Sequence, residues 1–330
     1  MAYHRRRNWN LAVAALSIAL AWVLLGIASQ SALTQGARTI RIVVPFPPGG
    51  SADILARLFG EQISKANGPS VVIENRPGGG ATIAYEAVMR APPDGNTLVI
   101  NGNSLVINPH LRKVNYDPSA SFEPVCYLVS SPNVVVVNSA SPYRTLSDYV
   151  AAARAKPGEL AFAAVGPATT QHIGFEQFWR HAGIKVTYVP FTGGAPAITA
   201  LLGGHVTAAL ANYSEVVEQL HGGKLRALLS LSRERIAPLP DVPSTTEVGY
   251  KDYDVTVWFG VLAPAKTPKT VTAELAAWFK SAMQEPDVRS KLANLGLYPV
   301  GTCLDDFANH IAKQNDEYGR IIREANIKGE

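Results

Sequence analysis

Cysteine and charged residues are scarce in this chain, and their scarcity excludes several classes of protein. The 330 residues include two cysteines, and Asp, Glu, Lys and Arg together make up 17% of the chain. The cysteines, Cys126 and Cys303, form no CxxC pair and have no cluster of histidines beside them. Zinc-ribbon and thioredoxin-like sites are therefore excluded, whereas one long-range disulfide and two free thiols both remain open.

The composition is that of a globular protein with little net charge outside its first residues. Hydrophobic residues make up 47% of the chain and the mean hydropathy is +0.06, which excludes a disordered chain and a polytopic membrane protein. Residues 1–36 contain three arginines and no acid, so the remaining residues carry 27 basic and 26 acidic side chains. Because this body has a net charge of only +1, nucleic acid is not predicted as a partner.

The first 36 residues are typical of a secretory signal peptide. Three arginines at positions 5–7 precede an apolar run at 11–27, and small residues follow in the order of a cleavage site, as in Gly26-Ile27-Ala28. We therefore expect export to a Gram-negative periplasm, with the exact cleavage site left open. An uncleaved membrane anchor is the alternative, because an apolar run of this length just reaches the lower limit for a membrane-spanning helix.

The body alternates short β-branched runs with amphipathic stretches, the pattern of βαβ units and a parallel sheet. Apolar runs at 125–129 and 134–137, and again at 255–262, predict two crossings between domains. The fold class is therefore α/β with two lobes and a ligand cleft between them. We expect residues 37–131 plus 256–330 to form lobe 1 and residues 132–255 to form lobe 2.

Glycine-rich turns follow several predicted strands, and the first one leads directly into a helix. In the segment PFPPGGS at 45–51, Ser51 is the expected N-cap and Asp53 can support the first turn. Free N–H groups and the positive end of a helix dipole meet there, so an anion is the expected ligand. Similar turns occur at 75–80, 101–104, 166–170 and 191–195. Since ligands bind beyond the carboxyl ends of parallel strands, the turns of both lobes are predicted to converge on one cleft.

Motifs of enzymes are incomplete in this sequence. Residues 78–83 lack the last glycine of GxGxxG, no GxxxxGK[ST] is present, and the segment at 102–106 begins like a nucleophile elbow but ends in valine. The seven histidines form no HxH or HxxxH pair. We predict no catalytic residues, no cofactor and no metal, and we expect His172 to be a packed or capping residue.

Several motifs occur in an order that resembles a known family. They are VPFPPGGSAD at 44–53, ENRPGGG at 74–80, PPDGNTL at 92–98, YDP at 116–118, FEP at 122–124, QHI at 171–173, VPFTGG at 189–194, GGKLRA at 222–227 and WFGVLAP at 258–264. Together they resemble the Bug family, the periplasmic solute-binding proteins of tripartite tricarboxylate transporters. The resemblance extends from about residue 40 to the end of the chain.

This resemblance implies a type II periplasmic-binding-protein-like fold that closes over a small organic carboxylate. It also implies that loop backbone amides, small hydroxyls and ordered water hold the carboxylate, without a general arginine clamp. Carried over by motif, the ligand contacts are Phe46, Pro48, Gly49, Ser51, Asp53, Asn101 and Ser104 in lobe 1, and Gly166, Thr169, Thr170, His172, Gly193, Gly194, Ala195 and Asn212 in lobe 2. The implied partners are this carboxylate and the membrane permease subunits of the transporter, and we expect a monomer.

Two features depart from the family pattern and concern lobe 2. The turn at 163–168 is AAVGPA where the family often has serines, and Thr207 stands where an acid is common. Together with the alanines at 208, 209 and 211 beside Asn212, they predict a less polar wall and a partly apolar or aromatic acid as ligand. Two alternative functions remain: a secreted hydrolase that uses Ser104 or His172 in the same cleft, and a periplasmic sensor that docks a signalling receptor.

Overall fold

The computed structural model describes residues 38–250 and 255–328. The predicted signal peptide, and with it the choice between cleavage and a membrane anchor, lies outside the described residues. The strands are β1 Thr39–Val44, β2 Ser70–Asn75, β3 Thr97–Asn101, β4 Phe122–Asn138, β5 Ala161–Val165, β6 Thr187–Phe191, β7 Ala208–Asn212, β8 Leu225–Ser230, β9 Thr256–Pro264 and β10 Tyr298–Cys303. The helices are α1 Ser51–Asn67, α2 Thr82–Met89, α3 Ser104–Leu111, α4 Leu146–Ala155, α5 Thr170–Ala182, α6 Gly194–Leu202, α7 Tyr213–His221, α8 Lys269–Gln284, α9 Pro286–Asn294 and α10 Asp305–Glu324.

The first lobe is built on β2, β1 and β3, which pair in parallel in that order. The helix α1 packs on this sheet because Leu55, Phe59 and Ile63 recur at intervals of four residues and are buried. Phe59 meets Phe279 of α8 edge to face, with ring centroids 5.9 Å apart. Gly68, in the left-handed conformation, ends α1. The predicted βαβ pattern is therefore confirmed in this lobe.

The second lobe repeats the plan with β7, β5 and β6 in parallel. Its core packs Phe162 of β5 against Trp179 of α5, with ring centroids 5.0 Å apart. The spacing of Thr145 and Asp148 in the sequence predicts a capping box. This prediction is confirmed, because the Thr145 side chain accepts a hydrogen bond from Asp148 N–H and the Asp148 side chain accepts one from Thr145 N–H. This box determines where α4 begins.

Two strands, β4 and β9, connect the lobes. The 17-residue β4 pairs with β9 and β10 along its first part and with β7 and β8 along its last part. Both crossings expected from the apolar runs are therefore present, and Ser130, Ser131 and Pro132 continue β4 without ending it. The residue boundaries proposed for the lobes, 37–131 plus 256–330 and 132–255, stay a prediction.

The expectation of a parallel sheet is wrong for the centre of the molecule. β9 lies between β3 and β4 and is antiparallel to both, and β4 is antiparallel to every strand that it pairs with. The physical reason is the topology: β9 returns from the second lobe and therefore enters the first sheet in the opposite direction. The sheet is mixed, and its parallel strands lie in the two flanks.

A disulfide joins Cys126 of β4 to Cys303 of β10, which settles the alternative that the sequence left open. Local sequence patterns did not predict α3, α7, α9 or β10. None of the helices in the described ranges is long and apolar enough to cross a membrane.

Candidate ligand-binding site

The turn between β1 and α1 is held by a buried acid. Asp53 Oδ2 accepts a hydrogen bond of 3.0 Å from Gly49 N–H, and Gly49 has the left-handed φ of +86° that favours glycine. Arg57 and Asn75 also donate to the Asp53 carboxylate. Burial alone would raise the pKa of Asp53, but these hydrogen bonds outweigh it and hold the pKa below its ordinary value. Asp53 therefore stabilises the conformation of the turn without lining the cavity.

Ser51 does not cap α1, contrary to the sequence expectation. The N-cap is Gly50, and Ser51 is the first helical residue. Its hydroxyl is instead directed across the cleft, where Ser51 Oγ lies 2.7 Å from Ser214 Oγ and accepts a hydrogen bond of 3.1 Å from Asn212 Nδ2. The reason is tertiary, since the second lobe offers partners that compete with the backbone of α1.

The inner cavity lies between the lobes where these turns meet. Its volume is about 30 Å³, close to the space needed by one or two water molecules. Its walls from the first lobe are Phe46, Gly50, Ser51, Ala52, Gly102, Asn103, Ser104, Val257 and Phe259, and its walls from the second lobe are Val165, Thr169, Thr170, Gln171, Gly194, Asn212 and Glu215. An organic acid therefore requires the lobes to separate or the wall to rearrange before it can enter.

Glu215 places a carboxyl group in the wall of this cavity. Its Oε1 accepts a hydrogen bond of 3.3 Å from Ser51 N–H of the first lobe, and its Oε2 accepts one of 3.3 Å from Asn212 N–H. The carboxyl group lies against Gly194 so closely that a Cβ on that residue would overlap it. Burial raises the pKa of Glu215, because desolvation of the carboxylate outweighs these hydrogen bonds.

An outer cavity of about 320 Å³ adjoins the inner one and shares Phe46, Val165 and Thr169 with it. Its other walls are Pro45, Gly78, Gly79, Gly80, Ala81, Arg112, Gly166, Pro167, Pro190, Phe191 and Thr192. The backbone approaches closely here, since a Cβ on Gly80 would lie 3.2 Å from the carbonyl oxygen of Pro167. The glycine-rich turn at 78–80 thus faces the turn at 166–170 across one opening, and Phe191 and Thr192 line the same cavity.

The structure brings about half of the predicted contact residues into the cavity walls. Those in the walls are Phe46, Ser51, Ser104, Gly166, Thr169, Thr170, Gly194 and Asn212. Pro48, Gly49, Asp53, His172, Gly193 and Ala195 lie outside the walls. Asn101 is the last residue of β3, where its backbone pairs with Gly260. Whether any of these residues contacts a ligand stays a prediction.

The side chains of Thr169 and His172 organise the start of α5. Thr169 is the N-cap of this helix, and its Oγ1 accepts a hydrogen bond of 3.2 Å from His172 N–H. The His172 ring packs against Tyr188 with the centroids 5.3 Å apart. His172 is therefore a packed residue of the helix cap, as the sequence indicated, and only Ser104 of the two candidate hydrolase residues lies in a cavity wall.

The expectation of a less polar wall in lobe 2 than in the family stays a prediction, but the alanines of β7 do not form that wall. The alanines of β7 are buried in the core, and the polar side chains that this lobe contributes to the inner wall include Gln171, Asn212 and Glu215, with Gln171 Nε2 donating to Asn212 Oδ1 at 3.1 Å. Asn212 and Glu215 form a capping box at the start of α7, and this spacing in the sequence could have predicted where α7 begins, but not that Glu215 lines the cavity. No comparable signal in the sequence indicates that Arg112 lines the outer cavity.

The described ranges contain no group of three or more His, Cys, Asp or Glu side chains that could hold a metal ion. The polar atoms of the cleft are instead backbone N–H groups, small hydroxyls, amides, the Glu215 carboxyl group and the Arg112 guanidinium. Such a set suits recognition of a small polar molecule by hydrogen bonds.

Comparison with known proteins agrees with this geometry. Residues 55–327 match the family described as "Tripartite tricarboxylate transporter family receptor". The protein BugT from Bordetella pertussis is 34% identical over 322 residues, which cover 96% of this chain and 98% of BugT.

Solved structures are similar over nearly the whole body. A protein from R. palustris solved with adipate is 30% identical, with 90% of this chain and 100% of that chain covered and a TM-score of 0.85. MatC from Rhodopseudomonas palustris, solved with bound malate, is also 30% identical, with 87% and 99% covered and a TM-score of 0.80. The chain therefore belongs to the tripartite tricarboxylate transporter receptor family, whose members are two-lobed periplasmic solute-binding proteins.

Proposed function

We propose that this protein is a periplasmic receptor that captures a small organic carboxylate between its lobes and presents it to the membrane permease subunits of a tripartite tricarboxylate transporter. The observation that carries the proposal is the convergence of turns from both lobes on one cleft. Ser51 and Ser104 of the first lobe face Thr169, Thr170 and Asn212 of the second across the inner cavity. Hydroxyl and amide groups on both sides can hold a small organic acid by hydrogen bonds only when the lobes are closed.

The relatives support a carboxylate as the ligand. MatC was solved with malate and the R. palustris protein with adipate, and both match this chain along nearly their whole length. Two acids of different length in the same fold indicate that the cleft of this family adapts to its ligand. The particular acid bound by this chain depends on its own wall residues.

The receptor acts by binding without turnover, as a monomer and without a cofactor. The cleft has Ser104 in its wall, whereas the ring of His172 packs against Tyr188 outside the cavities. A ligand that contacts both lobes binds the closed state more tightly than the open state, so it shifts the equilibrium towards closure. The permease can then recognise the closed conformation.

Thermal unfolding in the presence of a panel of organic acids tests the proposal. We expect one or more small carboxylates to raise the melting temperature, because a ligand at 100 times its Kd stabilises the folded state by about 2.7 kcal/mol. The matched controls are the neutral amides of the same acids, which should stabilise much less. Stabilisation by sugars or metal cations, with no response to any acid, would overturn the proposal.

A further inference from the structure

Two charged side chains line the cleft, and they lie in different cavities. Among the described residues of both walls, Glu215 is the acid and Arg112 is the base. Glu215 belongs to the inner cavity and Arg112 to the outer one, and both cavities have Phe46, Val165 and Thr169 in their walls. A ligand that extends from one cavity into the other therefore meets opposite charges at its two ends.

The inner end of the cleft already holds a carboxyl group of the protein itself. The Glu215 carboxyl group uses the N–H groups of Ser51 and Asn212, the donors that would otherwise receive a ligand carboxylate. It also lies over Gly194, the first residue of α6. A second carboxylate at this end would face Glu215 across a desolvated cavity, where repulsion between like charges is strong. An ammonium group there would be attracted and could donate hydrogen bonds to the same oxygens.

The outer end of the cleft holds a cation whose charge is not neutralised. Within the described ranges, Arg112 forms no ion pair, and its Nε is buried without a hydrogen-bond partner. Its Nη1 makes only a long contact of 3.4 Å with the carbonyl oxygen of Gly79. A planar guanidinium with free donors is suited to bind a carboxylate through two parallel hydrogen bonds.

We propose that the two ends of the cleft carry opposite charges and that the cleft selects an amino carboxylate whose two charged groups are separated by a carbon chain. The ligand carboxylate binds Arg112, and the ligand ammonium binds Glu215. This inference rests on the proposed function and names the class of acid. Burial raises the pKa of Glu215, and a ligand ammonium beside the carboxyl group would offset this by favouring the charged carboxylate. The preferred ligand thus differs from the dicarboxylates malate and adipate of the relatives in one end group.

Isothermal titration calorimetry with ligands matched in length tests this inference. The panel consists of ω-amino acids, dicarboxylates and monocarboxylates with three to six methylene groups. We expect wild type to bind an ω-amino acid at least tenfold more tightly than the dicarboxylate of the same length. The Glu215→Gln variant should lose this preference and bind the dicarboxylate at least tenfold more tightly than wild type does. Gln still accepts the capping hydrogen bond from Asn212 N–H, so the start of α7 is retained.

The Arg112→Gln variant should weaken binding of all carboxylates at least tenfold, whereas Arg112→Lys should keep the order of preference. The matched controls are Glu218→Gln on the exposed side of α7 and Lys113→Gln beside Arg112, which should leave affinity unchanged. A dicarboxylate bound by wild type as tightly as the amino acid, with an order unaffected by Glu215→Gln, would overturn the inference alone. Failure of every carboxylate to bind would overturn the proposed function as well.

Discussion

The Glu247 side chain ties together the loop that follows β8. Arg235 Nε donates to both carboxylate oxygens of Glu247 at 2.9 Å, and Ser244 N–H donates to Oε2 at 2.9 Å. Arg235 Nη1 also donates to the carbonyl oxygen of Pro240. The hydrogen bonds from Arg235 and Ser244 lower the pKa of Glu247 from 4.5 to about 2, although the group is exposed. One carboxylate thus connects three points of the same loop.

This lowered pKa predicts how the loop responds to acid. The ionised Glu247 contributes fully to stability above pH 4.5, the ordinary pKa of glutamate. This contribution is lost as the pH falls through the folded-state pKa of about 2. The difference in the urea midpoint between wild type and Glu247→Gln should therefore shrink from pH 6 to pH 3. The exposed Glu234→Gln in the same loop serves as control and should show no such trend. A difference that stays constant over this range would contradict the prediction.

At the scale of elements, the last part of the chain is fastened to the first lobe by β10 and its disulfide. Cys303 of β10 lies opposite Cys126 of β4, and 177 residues separate them in the sequence. β10 is a six-residue strand that contains Pro299 and Gly301, and its register with β4 shifts along its length. Such a strand forms few backbone hydrogen bonds with its neighbour, so the disulfide contributes much of the attachment of β10 to β4.

Removal of this disulfide should destabilise the protein without changing its ligand. The double variant Cys126→Ala/Cys303→Ala is expected to lose about 2–4 kcal/mol of unfolding free energy, because a cross-link restricts the unfolded chain. Urea unfolding of wild type with and without reductant, beside the double variant, measures the effect. Reductant should act on wild type alone, and equal stability of the oxidised protein and the variant would contradict the prediction.

At the scale of the whole molecule, two strands and a small set of hydrogen bonds relate the lobes to each other. β4 and β9 form the connection, and the closed arrangement is held by Ser51, which contacts Ser214, Asn212 and Glu215 across the cleft. These contacts exist only when the lobes meet. They therefore bias the equilibrium between open and closed states before any ligand binds.

Loss of the Ser51 hydroxyl should shift this equilibrium towards the open state. A hydrogen bond is worth about 1 kcal/mol net, so Ser51→Ala is expected to reduce the ratio of closed to open molecules by about fivefold. Small-angle X-ray scattering should show a larger radius of gyration without ligand and recovery of the compact value at saturation. The exposed Ser147→Ala in α4 is the control. An unchanged radius in the Ser51 variant, with unchanged affinity, would show that these bonds do not hold the lobes closed.

Local patterns predicted most elements of this fold, and the exceptions have physical causes. The helix α1 was evident because its apolar residues follow the helical period, and α4 because Thr145 and Asp148 mark its start. The helix α3 was missed since it contains Pro109 and buries residues on nearly all sides, which leaves no amphipathic period. The strand β10 was missed because it depends on pairing with β4 more than on its own residues.

By itself, the sequence determined the alternation of strands and helices, the glycine-rich turns and the family, because these depend on residues close together in the chain. Only the tertiary structure decided the direction of β9, the pairing of the cysteines and the partners of Ser51. It also decided that Glu215 and Arg112 both line the cleft, since Glu215 contacts a residue 164 positions away in the chain. The physical reason is that burial and charge pairing are set by long-range packing, which no local pattern of residues encodes.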